Sequence, residues 1–178
     1  AGVICGICVV VMLPGFMMIQ PNNSSVLTFF GRYAGTVISN GFYWVNPLFL
    51  KSTVTLRILN LNIDPIKVND KVGNPIMIGA VVVWRIKDTY KASFDISGNI
   101  REFVQIQSDA ALRQVAGMYA YDTNETIDKV TLRSDESGEI TQRLEDELNS
   151  RLAIAGIEIV EARINYLAYA SEIASVML

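Results

Sequence analysis

Lys67-Val-Asn-Asp-Lys-Val-Gly-Asn-Pro-Ile-Met-Ile-Gly-Ala-Val-Val-Val-Trp-Arg-Ile86 divides the chain into two unlike halves. Its first part, Val68 to Pro75, gathers Asn69, Asp70, Gly73, Asn74 and Pro75, residues that favour chain reversal. Its second part, Ile76 to Ile86, is apolar at odd and even positions alike. Such a run reads as a central strand covered on both sides.

Upstream the pattern is β. Ser25 to Phe30 reads as a short strand, Gly31 to Gly35 as a turn, and Thr36-Val37-Ile38 as the returning arm of a hairpin. An aromatic run, Phe42-Tyr43-Trp44, follows Gly41 and is closed by Pro47. Thr53 to Ile63 reads as one long strand with Val54, Leu56 and Ile58 on one face. Its alternation slips at Ile58-Leu59, which predicts a bulge or a change of faces. Downstream the pattern is α. Ile100, Phe103, Val104, Ala111, Leu112, Val115 and Met118 recur at helical spacing, predicting a helix from Ile100 to about Tyr119. A turn at Tyr121 to Glu125 precedes a second predicted helix, from about Asp135 to Ala155. Its stripe is Ile140, Leu144, Leu148 and Leu152, and Gly156 is its stop signal. Ile157 to Leu167 returns to strand. Ser171 is placed to cap a last helix, Glu172 to Leu178.

The beginning of the chain is different in kind. Ala1 to Ile19 carries no charge. AGVICGICVVVML is unbroken apolar sequence, interrupted by Pro14-Gly15 and resumed by Phe16-Met17-Met18-Ile19. Thirteen helical residues span roughly 20 Å, short of the roughly 30 Å hydrocarbon core. With no cationic leader before the run, a signal peptide is not expected. The run reads as the back half of a longer membrane helix, anchored through Ile4, Ile7, Val9, Val10, Val11, Met12, Leu13, Phe16 and Ile19. A buried core helix is the competing reading, disfavoured because no polar face interrupts the run. The expected fold class is therefore α+β, with a partial N-terminal transmembrane helix, a β-rich subdomain, and a helical subdomain carrying a late strand. The expected divisions are 1–19 for the anchor, 20–96 and 97–168 for the two subdomains, and 169–178 for the start of a C-terminal helix or coiled coil.

Composition removes several functions. The 178 residues hold 15 Lys+Arg against 18 Asp+Glu, a net charge of −3. A nucleic-acid partner, which needs a basic surface to displace counterions, is not expected. There is no histidine, so Ser-His and Cys-His nucleophile pairs and histidine metal sites are excluded. Cys5 and Cys8 form a C-x-x-C spacing inside the apolar run, without the βαβ context of a redox motif or the two further ligands of a zinc site. Asp122 to Asp128 begins like a calcium loop, then places Ile127 where glycine belongs and Arg133 where the bidentate glutamate belongs. No Walker loop, G-x-S-x-G, S-x-x-K or G-x-G-x-x-G is present. No catalytic residue, cofactor or metal is expected.

Three ordered stretches resemble one family. They are Gln20-Pro21-Asn22 after the apolar run, with Phe30-Gly31-Arg32-Tyr33-Ala34-Gly35-Thr36-Val37 and Gly41 to Pro47, then Lys67 to Ile76 with Ala80 to Ile86, then Glu161-Ala162-Arg163-Ile164-Asn165-Tyr166-Leu167-Ala168-Tyr169-Ala170 with Glu172-Ile173-Ala174. Together they resemble the SPFH (band 7, stomatin/prohibitin-like) family over nearly the whole chain after the apolar run. Asn23 and Ser24 stand where relatives often carry an acidic residue, and Ser171 where proline is common. The resemblance implies a non-enzymatic, membrane-anchored domain whose copies assemble side by side into a ring or cage, followed by a coiled coil. It further implies a scaffold that organises a membrane microdomain, in a bacterial inner or plasma membrane, through a single or hairpin anchor. The alternative it leaves is an adaptor that binds and regulates a membrane protease or channel. Membrane lipid and further copies of the chain are the partners expected.

Two groups have more than one reading. Phe42, Tyr43 and Trp44 suit either the membrane interface or the β core. Glu139 with Arg143, and Glu147 with Arg151, are i,i+4 pairs in the favourable orientation, worth about 0.3–0.5 kcal/mol each within a helix. Repeated around a ring, the same charges would serve as oligomer contacts that set register between neighbours.

Overall fold

The computed structural model describes residues 12–122, 131–133 and 138–171. The fold is α+β, with strands first, helices later and one late strand. Among the described residues a 3-10 turn, Leu13–Gly15, is followed by seven strands: β1 (Phe16–Ile19), β2 (Asn23–Phe29), β3 (Arg32–Val37), β4 (Gly41–Trp44), β5 (Phe49–Thr55), β6 (Leu59–Asn69) and β7 (Pro75–Ile86). Three helices follow among the described residues, α1 (Thr89–Phe94), α2 (Ile100–Ala116) and α3 (Glu139–Leu152), and β8 (Ile157–Tyr169) is the last strand. The strands form three antiparallel sheets, β1-β4, β3-β2-β5 and β6-β7-β8.

β7 is the central strand of its sheet, as its apolar run predicts. It is fully covered on one side only. Ile76, Ile78, Ala80, Val82, Trp84 and Ile86 are buried in the core, while Met77, Val81 and Val83 on the other side are half-buried. Ile140, Leu144, Leu148 and Leu152 of α3 join the same core, each 1% exposed or less. Burial of side chains this size contributes roughly 1.5–3 kcal/mol apiece. α3 also guards β8, an edge strand whose outward N–H groups would otherwise invite pairing. Asn149 Oδ1 accepts from Ile159 N at 3.0 Å and Glu145 Oε1 accepts from Ala162 N at 3.1 Å.

Several boundaries differ from the sequence expectations. The long strand expected over Thr53 to Ile63 is two strands in different sheets: β5 pairs with β2, and β6 pairs with β7. The slip at Ile58-Leu59 marks that hand-over, with Ile58 itself 57% exposed. Residues 32–35, expected as turn, belong to β3. The reversal needs only Phe30 and Gly31, both at positive φ (44° and 80°), which matches the twist of a tight hairpin. α1 was not expected; its signal is Asp88, whose carboxylate accepts from Tyr90 N and Lys91 N at 3.0 and 3.2 Å. Helix α2 stops at Ala116, short of Tyr119, and α3 is followed by a 3-10 turn, Ala153–Ala155, ended by Gly156. The last expected helix, 172–178, lies outside the described residues, as do 123–130 of the calcium-like stretch. Asp122 is described, and its Oδ2 accepts from Arg133 at 2.9 Å.

One correction concerns the end of the expected anchor, Phe16 to Ile19. No helix among the described residues is long and apolar enough to cross a membrane. Phe16 to Ile19, expected to resume the membrane run, is strand β1, paired with β4. Pro14-Gly15 causes the change by ending a short 3-10 turn, Leu13–Gly15. The chain leaves it extended, and Ile19 is buried, at 6% exposure. Ile4, Ile7, Val9, Val10 and Val11 lie outside the described residues.

Candidate functional site

The two-stranded ribbon β1-β4 carries the most concentrated apolar surface near the start of the described chain. Its register is Phe16↔Trp44, Met17↔Tyr43, Met18↔Phe42 and Ile19↔Gly41. Side chains alternate along a strand and paired residues share a face. Phe16, Met18, Phe42 and Trp44 therefore stand together on one side. They are exposed by 48, 73, 69 and 50% respectively. The rings of Phe16 and Phe42 stack diagonally with centroids 5.3 Å apart. Met17 and Tyr43 point to the opposite side and are half-buried. The aromatic trio of the sequence is thus split: Phe42 and Trp44 join the exposed face, and Tyr43 does not.

The polar groups beneath this face are satisfied from within the chain. Trp44 Nε1 donates to the Met12 carbonyl at 3.2 Å, and Val45 N donates to Gly15 O at 2.9 Å. Gly15 has no room for a side chain, since a Cβ there would stand 2.6 Å from both Trp44 Nε1 and Val45 O. Lys51 of β5 reaches across, its ammonium donating to Pro14 O at 2.6 Å and Phe16 O at 3.3 Å. These bonds fix the segment that emerges from the apolar run against β4 and β5. Met12 and Leu13, at 56 and 58% exposure, extend the apolar surface towards that run. Single exposed apolar residues are ordinary, but a contiguous group of this kind marks a surface that meets protein or membrane. Sequence reasoning placed Phe16 in the anchor and missed Met18; the strand alternation of Phe16-Met17-Met18-Ile19 was the available signal.

The charged positions on α3 separate into two sets. Glu147 and Arg151 form an intrahelical pair at 2.6 Å, and Arg151 also donates to Gln114 Oε1 of α2 at 2.7 Å. That set ties α3 to α2. Glu139 accepts a long hydrogen bond, 3.5 Å, from Tyr119 Oη. Arg143 is exposed and makes no ion pair with Glu139 among the described residues.

Elsewhere, Asp70 organises the β6–β7 turn. Its carboxylate accepts from Val72 N (3.0 Å), Asn74 N (2.7 Å), Asn74 Nδ2 (3.3 Å) and Tyr121 N (3.1 Å). Burial alone would raise its pKa, but the hydrogen bonds outweigh burial and hold it below the ordinary carboxylate value. Its donors are all structural groups, so this arrangement braces the fold.

No curated protein matches the chain. The model of the SPFH domain / Band 7 family matches residues 17–177, from the second residue of β1 to beyond β8. The chain belongs to the SPFH domain / Band 7 family.

Proposed function

We propose that the protein is a non-enzymatic, membrane-associated scaffold subunit that assembles laterally with copies of itself and organises the membrane patch around it. The observation that carries this reading is the exposed face of Phe16, Met18, Phe42 and Trp44, set directly after an uncharged apolar run in a chain of the SPFH family. The run containing Ile4, Ile7, Val9, Val10 and Val11, with Met12 and Leu13 at its end, enters the bilayer. The ribbon lies at the headgroup layer, where Trp and other amphipathic rings are favoured. Ile19 contributes to the protein core instead. Glu139 and Arg143, on the exposed side of α3, serve as contacts between neighbours, whereas Glu147 and Arg151 act within the subunit.

Sedimentation with phosphatidylcholine vesicles, in a chain beginning at Met12 so that the apolar run does not hold every variant in lipid, tests the membrane part of the ribbon. Phe42→Ser with Trp44→Ser lowers the bound fraction several-fold while the circular dichroism spectrum stays unchanged. Unaltered sedimentation of the double variant refutes the ribbon as a membrane surface. Crosslinking and native electrophoresis of membrane extracts in mild detergent test assembly, and a monomer there refutes the scaffold. A protease or channel that co-purifies in fixed proportion with a single copy of the chain would replace the scaffold reading by an adaptor.

A further inference from the structure

A cleft of about 410 Å³ lies between β5, the start of β6, α1 and the N-terminus of α2. Its size falls within the range of about 300–1,000 Å³ usual for small-molecule sites. Val54, Leu59, Ile86, Ala92 and Ile100 give it apolar walls. Trp84 also lines it and is 2% exposed, yet its indole Nε1 has no hydrogen-bond partner among the described residues. The same holds for the buried Oγ of Ser93, another lining residue. An indole N–H can only donate, so what completes it must be an acceptor.

The charge of the cleft is one-sided. Arg101 is the only charged residue lining it, and that guanidinium has no hydrogen bond or ion pair among the described residues. Glu102 follows it in sequence but does not line the cleft. The N-terminus of α2, seventeen residues long, adds the positive end of a helix dipole at the same place. Asn99 satisfies one of its N–H groups, that of Arg101, at 2.9 Å.

We propose that this cleft binds a small carboxylate with an apolar tail, Arg101 serving as counter-ion, the side chains of Trp84 and Ser93, whose Nε1 and Oγ are closed to solvent in this structure, turning to donate to the carboxylate, and the tail lying along Leu59 and Ile86. The apolar walls select the tail, the two buried donors select an acceptor, and the lone cation selects its charge. The site is separate from the β1-β4 ribbon and does not depend on the scaffold reading.

Octanoate is the probe. In the full chain, solubilised in non-ionic detergent and carrying Trp44→Phe so that Trp84 alone emits, octanoate gives a saturable fluorescence change. Octanol and octylammonium, which share the tail, give only the linear response of micelle partitioning. Arg101→Met and Ser93→Ala each weaken octanoate binding about tenfold. Trp84→Phe, read by calorimetry, weakens it similarly. Vesicle sedimentation of all three variants stays at the level of the parent, which keeps this test apart from that of the ribbon. A non-saturable response to octanoate, equal binding of octanol, or full affinity in Arg101→Met overturns the proposal.

Discussion

Asp70 shows how one side chain can hold two distant parts of the chain. Its four hydrogen bonds close the β6–β7 turn and fasten Tyr121, beyond α2, to it. Asp70→Ala strands those donors and costs about 2–4 kcal/mol, read as a lowered Tm by calorimetry. The same residue gives stability a pH dependence. Its carboxyl binds a proton less readily in the folded chain than at its ordinary 3.8. Its contribution is complete above that value and is lost as pH falls through the lowered folded value, because the unfolded chain then binds more protons. In acid unfolding monitored by circular dichroism, stability therefore falls more steeply below 3.8 in the parent than in Asp70→Ala, which is the less stable of the two at neutral pH. Gly156 is constrained in another way. Its φ is +68° and a Cβ there would sit 2.5 Å from the backbone oxygen of Asp88. Its own carbonyl accepts from Lys87 N and Asp88 N, at 2.9 and 3.0 Å. Gly156→Ala combines a left-handed backbone with a clash against main chain, so thermal melts should show a loss of about 2–4 kcal/mol.

Among the elements, α3 and β7 were legible in outline because period and composition agree. Spacing four puts Ile140, Leu144, Leu148 and Leu152 on one stripe, and that stripe is buried. Leu148→Ala leaves a cavity between α3 and the sheet and costs about 3–5 kcal/mol in chemical denaturation. Hydrogen exchange should be slowest in β7, which is paired with a strand on both sides, and faster in β1 and β4, whose only strand partner is each other. Residues 53–63 were misread for a physical reason. Alternation records which face a residue occupies, but not which neighbouring strand it bonds, so the passage from β5 to β6 leaves only a slip at Ile58. β1 was misread because four apolar residues after Pro14-Gly15 look alike whether they continue a membrane helix or pair with an aromatic strand. The absence of an intrahelical Glu139–Arg143 pair has a similar cause: i,i+4 spacing permits a contact worth a few tenths of a kcal/mol, and tertiary surroundings easily override it.

At the scale of the whole molecule, the proposed function assigns the apolar ribbon to lipid and Glu139 and Arg143 of α3 to a neighbour. If Glu139 and Arg143 meet a second copy, Arg143→Glu shifts native-gel bands towards smaller species without changing vesicle sedimentation. Raising salt from 0.1 M to 1 M, which shortens the screening length from about 10 Å to about 3 Å, does the same to the parent. Indifference of the bands to both changes removes those residues from the contact.

The residues by themselves determined the α+β order, the central strand, the leucine stripe of α3 and family membership, because each is carried by a period or an ordered motif along the chain. Tertiary structure alone decided that Phe16 and Met18 share a face with Phe42 and Trp44, that Arg151 is committed to Gln114, and that Trp84 and Arg101 line one cleft. Those facts depend on which strands and helices become neighbours, and that choice is made by packing across distances in sequence that local pattern does not encode.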